Sequence, residues 1–368
     1  MAAYRRMTWV VRGAGLLFLL LLSIPCMGCQ AAANTCVQEE TWWGSGGGWF
    51  IWGAGGDGIF AASVEGHSFE TWLWEGIRVK RGPSAQIPDD LIEGWAGKDL
   101  FLLSKLASKA TAAGLEMRRL GDASLCKSWE IPRGWYAESA ELSRNGQFIA
   151  VKVVENCVRP DAGFDFNATR LRVGLIGPDR ESMSWAPTLK GKRGSMYVNV
   201  RRVAPSDDGG YVAIAGWDNG AAILDVKNQT VLWESRPKNE VSLVDIAWGP
   251  DNRVAYTGGA SGCVWGMEVA TGKVLSQWWA TSTGEPVYGH RISAVAASPD
   301  GNFVAAGTGP EGSIYVWRAK TGELAKVLDH GGSTILILSF SPNSNALVSL
   351  AAGKIKVWGL ESALQGTP

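Results

Sequence analysis

Ile292-Ser-Ala-Val-Ala-Ala-Ser-Pro-Asp-Gly301, with Asn302-Phe-Val-Ala-Ala-Gly307 and Ser313-Ile-Tyr-Val-Trp317 after it, is repeated by Ile335-Leu-Ile-Leu-Ser-Phe-Ser-Pro-Asn343, Ala346-Leu-Val-Ser-Leu350 and Lys354-Ile-Lys-Val-Trp358. Each copy is an apolar strand, a Ser-Pro-Asp/Asn turn, a second short strand, a small-residue turn and a third strand ending in Val-Trp. Proline sets φ at the first corner of the turn, and Asp-Gly or Asn tolerates the second. Period-2 alternation in Ile314/Val316 and Ile355/Val357 predicts strands with one face buried.

The pattern extends backwards. Turn prolines Pro205, Pro250, Pro299 and Pro342 step by 45, 49 and 43 residues, and the third-strand marks Leu224, Trp265, Trp317 and Trp358 step by 41, 52 and 41. Two independent markers keep one period. Repeats near this length with four strands each are the signature of propeller blades, each covering its apolar face only by stacking on neighbours. The chain has 368 residues, 46% hydrophobic and 19% charged, so it is globular in composition. About seven blades of ~40–45 residues would use nearly all of it. The expected fold is therefore all-β, a seven-bladed β-propeller of four-stranded antiparallel blades over 37–363, with 364–368 as a tail.

The N-terminus reads differently. Arg5, Arg6 and Arg12 precede an uncharged apolar run at 13–28, short for a membrane span and right for a secretory h-region. Residues 1–28 are read as a signal peptide and 29–36 as a tether. Cys26-Met-Gly-Cys29 resembles a bacterial lipobox with Cys29 as the lipid attachment site, although Cys26 stands where Leu is usual. Ordinary cleavage after Ala33, giving a secreted chain, and an uncleaved anchor stay open. Removing 1–28 leaves 32 basic and 35 acidic residues, a body with no electrostatic footprint for nucleic acid. Beyond the export segment stand Cys36, Cys126, Cys157 and Cys263, of which Cys126 and Cys157 fall in neighbouring repeats and form a possible disulfide.

In order, 37–43 is a lone alternating strand. Repeat one covers 49–80 and repeat two 90–129, where 100–120 could instead be helical. Repeat three covers 136–175 with an insertion at 156–169, repeat four begins with a strand at 198–203, and repeat five covers 243–279. The last repeat shows three strands and no fourth. The strand 37–43 is therefore expected to complete the final blade, closing the ring and hiding its edges.

Ser-Pro-Asp-Gly301, Ile-Tyr-Val-Trp317, Thr321-Gly322 and Gly289-His290 together resemble the WD-repeat family of propellers. The resemblance implies a blade network of His, Ser/Thr, Asp and Trp, which His290, Thr308 and Trp317 fit in one repeat and Ser349 and Trp358 in the next. His330 stands differently and is set aside. The turn carries Pro310-Glu311 rather than Asp, and the Trp-Asp dipeptide is absent. A second resemblance is to quinoprotein propellers, which dock Trp between blades. Asp225 and Trp233 have that spacing, and Thr271-Gly-Lys273 supplies the other half in a different repeat.

His67, His290 and His330 are spread too widely for a metal or triad spacing, and no nucleophile elbow or phosphate loop occurs. No cofactor is expected. Trp is abundant at 19 residues, and adjacent strand residues face opposite ways, so one of Trp42/Trp43 and one of Trp278/Trp279 should face outward. Outward aromatics would form a binding surface, and the competing reading wedges them between blades. The sequence thus predicts a monomeric, non-catalytic interaction scaffold in the cell envelope. It would bind other envelope proteins and be held to the membrane by an N-terminal lipid. Carbohydrate or cell-wall binding and a quinoprotein-like enzyme are the alternatives.

Overall fold

A computed structural model describes residues 36–41, 50–55, 58–63, 68–86, 91–97, 100–105, 114–119, 121–155, 158–159, 163–164, 170–190, 200–217, 220–238, 240, 242–281 and 290–360. The chain divides into two units, Met1–Ala33 and Asn34–Pro368, and all described residues belong to the second. The signal-peptide residues, Cys29, Trp42, Trp43 and Cys157 lie outside the described residues. Among those described, no helix is long and apolar enough to cross a membrane.

All regular structure among the described residues is β. Six sheets of consecutive antiparallel strands follow one another along the chain, at 50–86, 91–130, 135–190, 202–235, 243–279 and 291–329. A seventh sheet combines Ile337–Phe340, Ala346–Ala351 and Lys354–Gly359 with Cys36–Thr41. Each sheet is four-stranded except the third, which gains the two-residue strand Leu189–Lys190. The first strand of each sheet packs beside the first strand of the next, from Phe50–Gly55 onward, and Ile337–Phe340 packs beside Phe50–Gly55.

Repeat two is built of strands. Leu100–Lys105 and Gly114–Arg119 pair antiparallel, so packing overrides the helix propensity of this stretch. The fourth sheet opens at Arg202–Pro205 rather than at residue 198. The insertion after the second strand of the third sheet holds a small hairpin, Val158–Arg159 paired with Gly163–Phe164. The strand expected at 37–43 is Cys36–Thr41, lying antiparallel to Lys354–Gly359 with Glu39 opposite Lys356 and Thr41 opposite Lys354. Glu39 also meets the ammonium groups of Lys354 at 2.9 Å and Lys356 at 3.4 Å.

The repeated turn explains the repeated sequence. Ser298 Oγ donates to Asp300 Oδ1 at 2.6 Å and accepts from Phe303 N at 2.9 Å. Ser206, Ser341 and Ser143 make the same pair of bonds, to Asp208, Asn343 and Asn145 and from Tyr211, Ala346 and Phe148. A short polar side chain thus satisfies a backbone N–H that the turn would leave buried and unpaired. The following residue, Gly146, Gly209, Asn252, Gly301 or Ser344, takes positive φ in every copy.

Between sheets the core is apolar. Ile314, Val316 and Leu328 of the sixth sheet pack with Leu338, Leu347 and Trp358 of the seventh. Trp72 and Val79 of the first pack with Val348, Leu350 and Val357 of the seventh. Burial of this kind contributes about 25 cal/mol per Å² of apolar surface, which makes it the main force holding sheet to sheet.

Candidate functional site

The first strands of consecutive sheets carry charged residues among apolar ones: Glu141, Arg202 and Asp245. They meet. Arg202 Nη1 donates to Glu141 Oε1 at 2.8 Å, and Arg202 Nε lies 3.4 Å from Asp245 Oδ1. Asp245 then accepts from its neighbour Ile246 N at 2.9 Å and, through Oδ2, from Val295 N of the sixth sheet at 2.7 Å. Arg291–Ala297 is the edge strand of its sheet, paired only with Phe303–Gly309, so N–H groups on its other side are available for such a bond. One chain of ionic and hydrogen bonds therefore crosses from the third sheet to the sixth. Lys152 adds a branch, donating to Val200 O at 2.9 Å and lying 3.1 Å from Glu138.

Burial dominates the electrostatics. It pushes the Glu141 carboxyl up to about 7 against the pull of Arg202 and Lys152, with Asp245 adding to the rise. It raises Asp245 as well, opposed by Arg202 and two backbone N–H donors. Arg202 loses solvation, but the two carboxylates more than compensate, and its pKa lies above the ordinary value. These groups are committed to one another, so their role here is to tie sheets together.

Where these strands end, the turns that follow them interlock. Arg144 donates to Asp207 of the next sheet and to Pro250 O of the one beyond at 3.2 Å. Asn145 N and Nδ2 also bond Asp207. Between the sixth and seventh sheets, Asp300 N donates to Ser344 Oγ at 3.1 Å beside an open cleft of about 430 Å³ lined by Phe303, Arg318, Lys320 and Asn345.

On the outer strands, tryptophans stand beside the next sheet. Trp233 Nε1 donates to Val269 O at 2.7 Å, and its ring covers Gly272, where a Cβ would come within 2.9 Å of it. Trp278 covers Gly322 in the same way, a Cβ there meeting Nε1 at 2.6 Å. At the preceding junction Gln229, also at positive φ, donates to Trp185 O. The docking spacing read from Asp225 and Trp233 thus has a structural counterpart: Trp of one sheet against the tight turn of the next.

The expected site residues fall as follows. Trp278 is 8% exposed and stacked between Tyr256 at 5.8 Å and Trp317 at 6.0 Å, a wedge rather than an outward ring. Trp279 is half-buried against the core shared by the fourth and fifth sheets. Thr308 bonds Ser313 N and O, closing its own hairpin, while Nδ1 of His290 has no hydrogen-bond partner. In the last sheet Trp358 Nε1 donates to Ser349 Oγ at 2.8 Å. His330, set aside in the sequence, lies edge-on to Trp358 at 6.4 Å and is 4% exposed, and its Nε2 has no hydrogen-bond partner. Cys126 is an exposed thiol on an outer strand, and Cys157, its expected partner, lies outside the described residues.

The residues missed in the sequence are Gln38, Glu141, Arg202 and Asp245. Charged residues on the first strands of successive repeats, in otherwise largely apolar stretches, were the available signal for the last three.

Comparison with known proteins agrees with this architecture. Residues 282–318 match the family described as WD domain, G-beta repeat. Over 151 residues the chain is 30% identical to an uncharacterized WD repeat-containing protein of Synechocystis, covering 40% of each chain. Over 71 residues it is 42% identical to the small ribosomal subunit protein RACK1 of Medicago sativa, covering 19% of this chain and 21% of that one. Over 165 residues it is 24% identical to the periodic tryptophan protein 2 homolog of Dictyostelium discoideum, covering 44% and 17%. The chain spans 40% or less of the length of each of these relatives. The matches support the WD-repeat family, and the described structure is that of a β-propeller type of protein.

Proposed function

We propose that this protein is a non-catalytic interaction scaffold: a seven-bladed ring shut by the strand Cys36–Thr41, exported, and held to a bacterial membrane by lipid on Cys29. Other envelope proteins are captured by its rim loops. The observation that carries the reading is the Glu141–Arg202–Asp245–Val295 chain. It spends charged groups of the inner strands on rigidity, which suits a platform whose binding residues sit in loops on a fixed frame. Similarity to WD-repeat proteins supports the same reading, though fold alone never fixes function. The wedged position of Trp278 removes one of the rings on which a carbohydrate-binding face was expected to rest.

Two measurements test it. Intact mass of the protein from its native membrane should show a lipidated Cys29 as the first residue; a chain beginning after Ala33 would overturn the anchor. Chemical cross-linking in intact cells should yield defined protein adducts that disappear when rim loops are replaced by short Gly-Ser links. A chain that stays free of protein adducts in its own envelope is not a scaffold.

A further inference from the structure

The open cleft between the sixth and seventh sheets has a wall rich in donors. Its volume is about 430 Å³, and its lining includes Phe303, Arg318, Lys320, Asn345 and Asp300. That volume lies in the range of sites that take a small ligand or a few residues of chain. Phe303 and Arg318 stand opposite each other on the second and third strands of the sixth sheet. The guanidinium lies 5.9 Å from the centre of the Phe303 ring, close enough for the ring face to hold it. Lys320, two residues further on, brings a second positive charge to the same cleft. Asp300 is the acid of the lining, and its carboxylate is engaged within its own turn. Oδ1 accepts from Ser298 Oγ at 2.6 Å and Asn302 N at 3.0 Å, and Oδ2 accepts from Asn302 Nδ2 at 2.7 Å. Glu323 stands 3.5 Å from Arg318 Nε, with its side chain 67% exposed. An ion pair in that setting contributes little and yields readily to a better partner. The wall thus presents donors and positive charge to whatever enters.

We propose that this cleft binds the side-chain carboxylates of a short acidic segment of a partner protein, with Arg318 and Lys320 as the groups that hold them. The inference rests on the scaffold reading and names the chemistry of its partner. A guanidinium already laid on an aromatic ring makes the two-pronged bond to a carboxylate with less ordering than a free side chain would need. The open side of the cleft admits a segment that continues past it. Nucleic acid is disfavoured, because a chain with 35 basic and 35 acidic residues lacks the broad positive surface that a phosphate backbone requires.

The test uses the full chain and a fluorescein-labelled hexaglutamate peptide at low ionic strength, followed by anisotropy, with unlabelled hexaglutamate as competitor. Binding should fall about tenfold in Lys320→Gln and in Arg318→Gln, and should weaken with added salt. Lys320 is exposed, so its replacement leaves the fold intact whatever Arg318→Gln does to the cover of Phe303. Glu323→Gln, which removes the internal competitor for Arg318, should tighten binding severalfold. An Arg318 with a merely structural role would not respond to that change. Lys273→Gln, an exposed lysine in the matching turn of the fifth sheet, should leave binding unchanged. Absent peptide binding by the parent chain, or binding that survives both Lys320→Gln and Arg318→Gln, overturns the inference. So does binding of succinate or inorganic phosphate without hexaglutamate, which would make the cleft a small-anion site. Binding seen only in Glu361→Gln would mean that the chain fills its own cleft, and overturns it too. None of these outcomes bears on the scaffold reading, which fails only in the in-cell cross-linking experiment.

Discussion

The carboxamide of Gln38 pairs with both backbone groups of Val79: Nε2 donates to Val79 O at 2.8 Å, and Val79 N donates to Oε1 at 3.0 Å. Gln38 lies in the outer strand of the seventh sheet and Val79 in the outer strand of the first, so one side chain joins the beginning and end of the repeat series. Gln38→Ala leaves both Val79 groups to weaker partners. It should cost about 1–2 kcal/mol in urea unfolding, with Gln38→Glu intermediate because only the acceptor survives. An unchanged midpoint would mean the contact is ornamental.

Glu141 gives the molecule a pH signature. Its folded-state pKa is raised to about 7, so between the ordinary carboxylate range and that value the folded chain keeps a proton the unfolded chain has released. Its contribution to stability is fully present below the unfolded pKa and is lost as pH rises through about 7. Glu141→Gln cannot ionise and still accepts from Arg202. Relative to the parent, it should gain about 1–3 kcal/mol between pH 5 and pH 8 in denaturant titrations. Parallel pH profiles for the two proteins would refute this account.

Gly322 should not tolerate a side chain. Its φ is +75°, and a Cβ would approach Trp278 Nε1 to 2.6 Å. Gly322→Ala is expected to lower stability by about 1–3 kcal/mol, from backbone strain and displacement of the ring. The same change at Gly76, also at positive φ but with nothing within 4 Å, bears only the backbone cost. The difference between the two isolates the docking contact.

The three described cysteines should separate by reactivity. Cys36 and Cys126 are exposed, while Cys263 is buried and its thiol is pushed up to about 12, chiefly by desolvation. Brief alkylation of the native protein at pH 8 should label Cys36 and Cys126 and spare Cys263 until urea is added, as read by peptide mass mapping. Labelling of Cys263 in the folded protein would show that the fifth sheet opens.

Much of the frame was legible beforehand. Ser298-Pro-Asp-Gly301 and its relatives marked the turns because the Ser hydroxyl, Pro φ and Asx side chain act within a few residues of one another. The place of His330 beside Trp358 and the meeting of Glu141, Arg202 and Asp245 were not legible. Each depends on a partner in another sheet or at a distant point of its own.

The order of residues alone determined strands, turns and their period, because those follow from local backbone preferences and the alternation of apolar side chains. Tertiary structure decided which charged groups meet, which tryptophans are covered, and the register in which Cys36–Thr41 lies along Lys354–Gly359. Those outcomes require segments far apart in the chain to share one volume, and local preference carries no information about that.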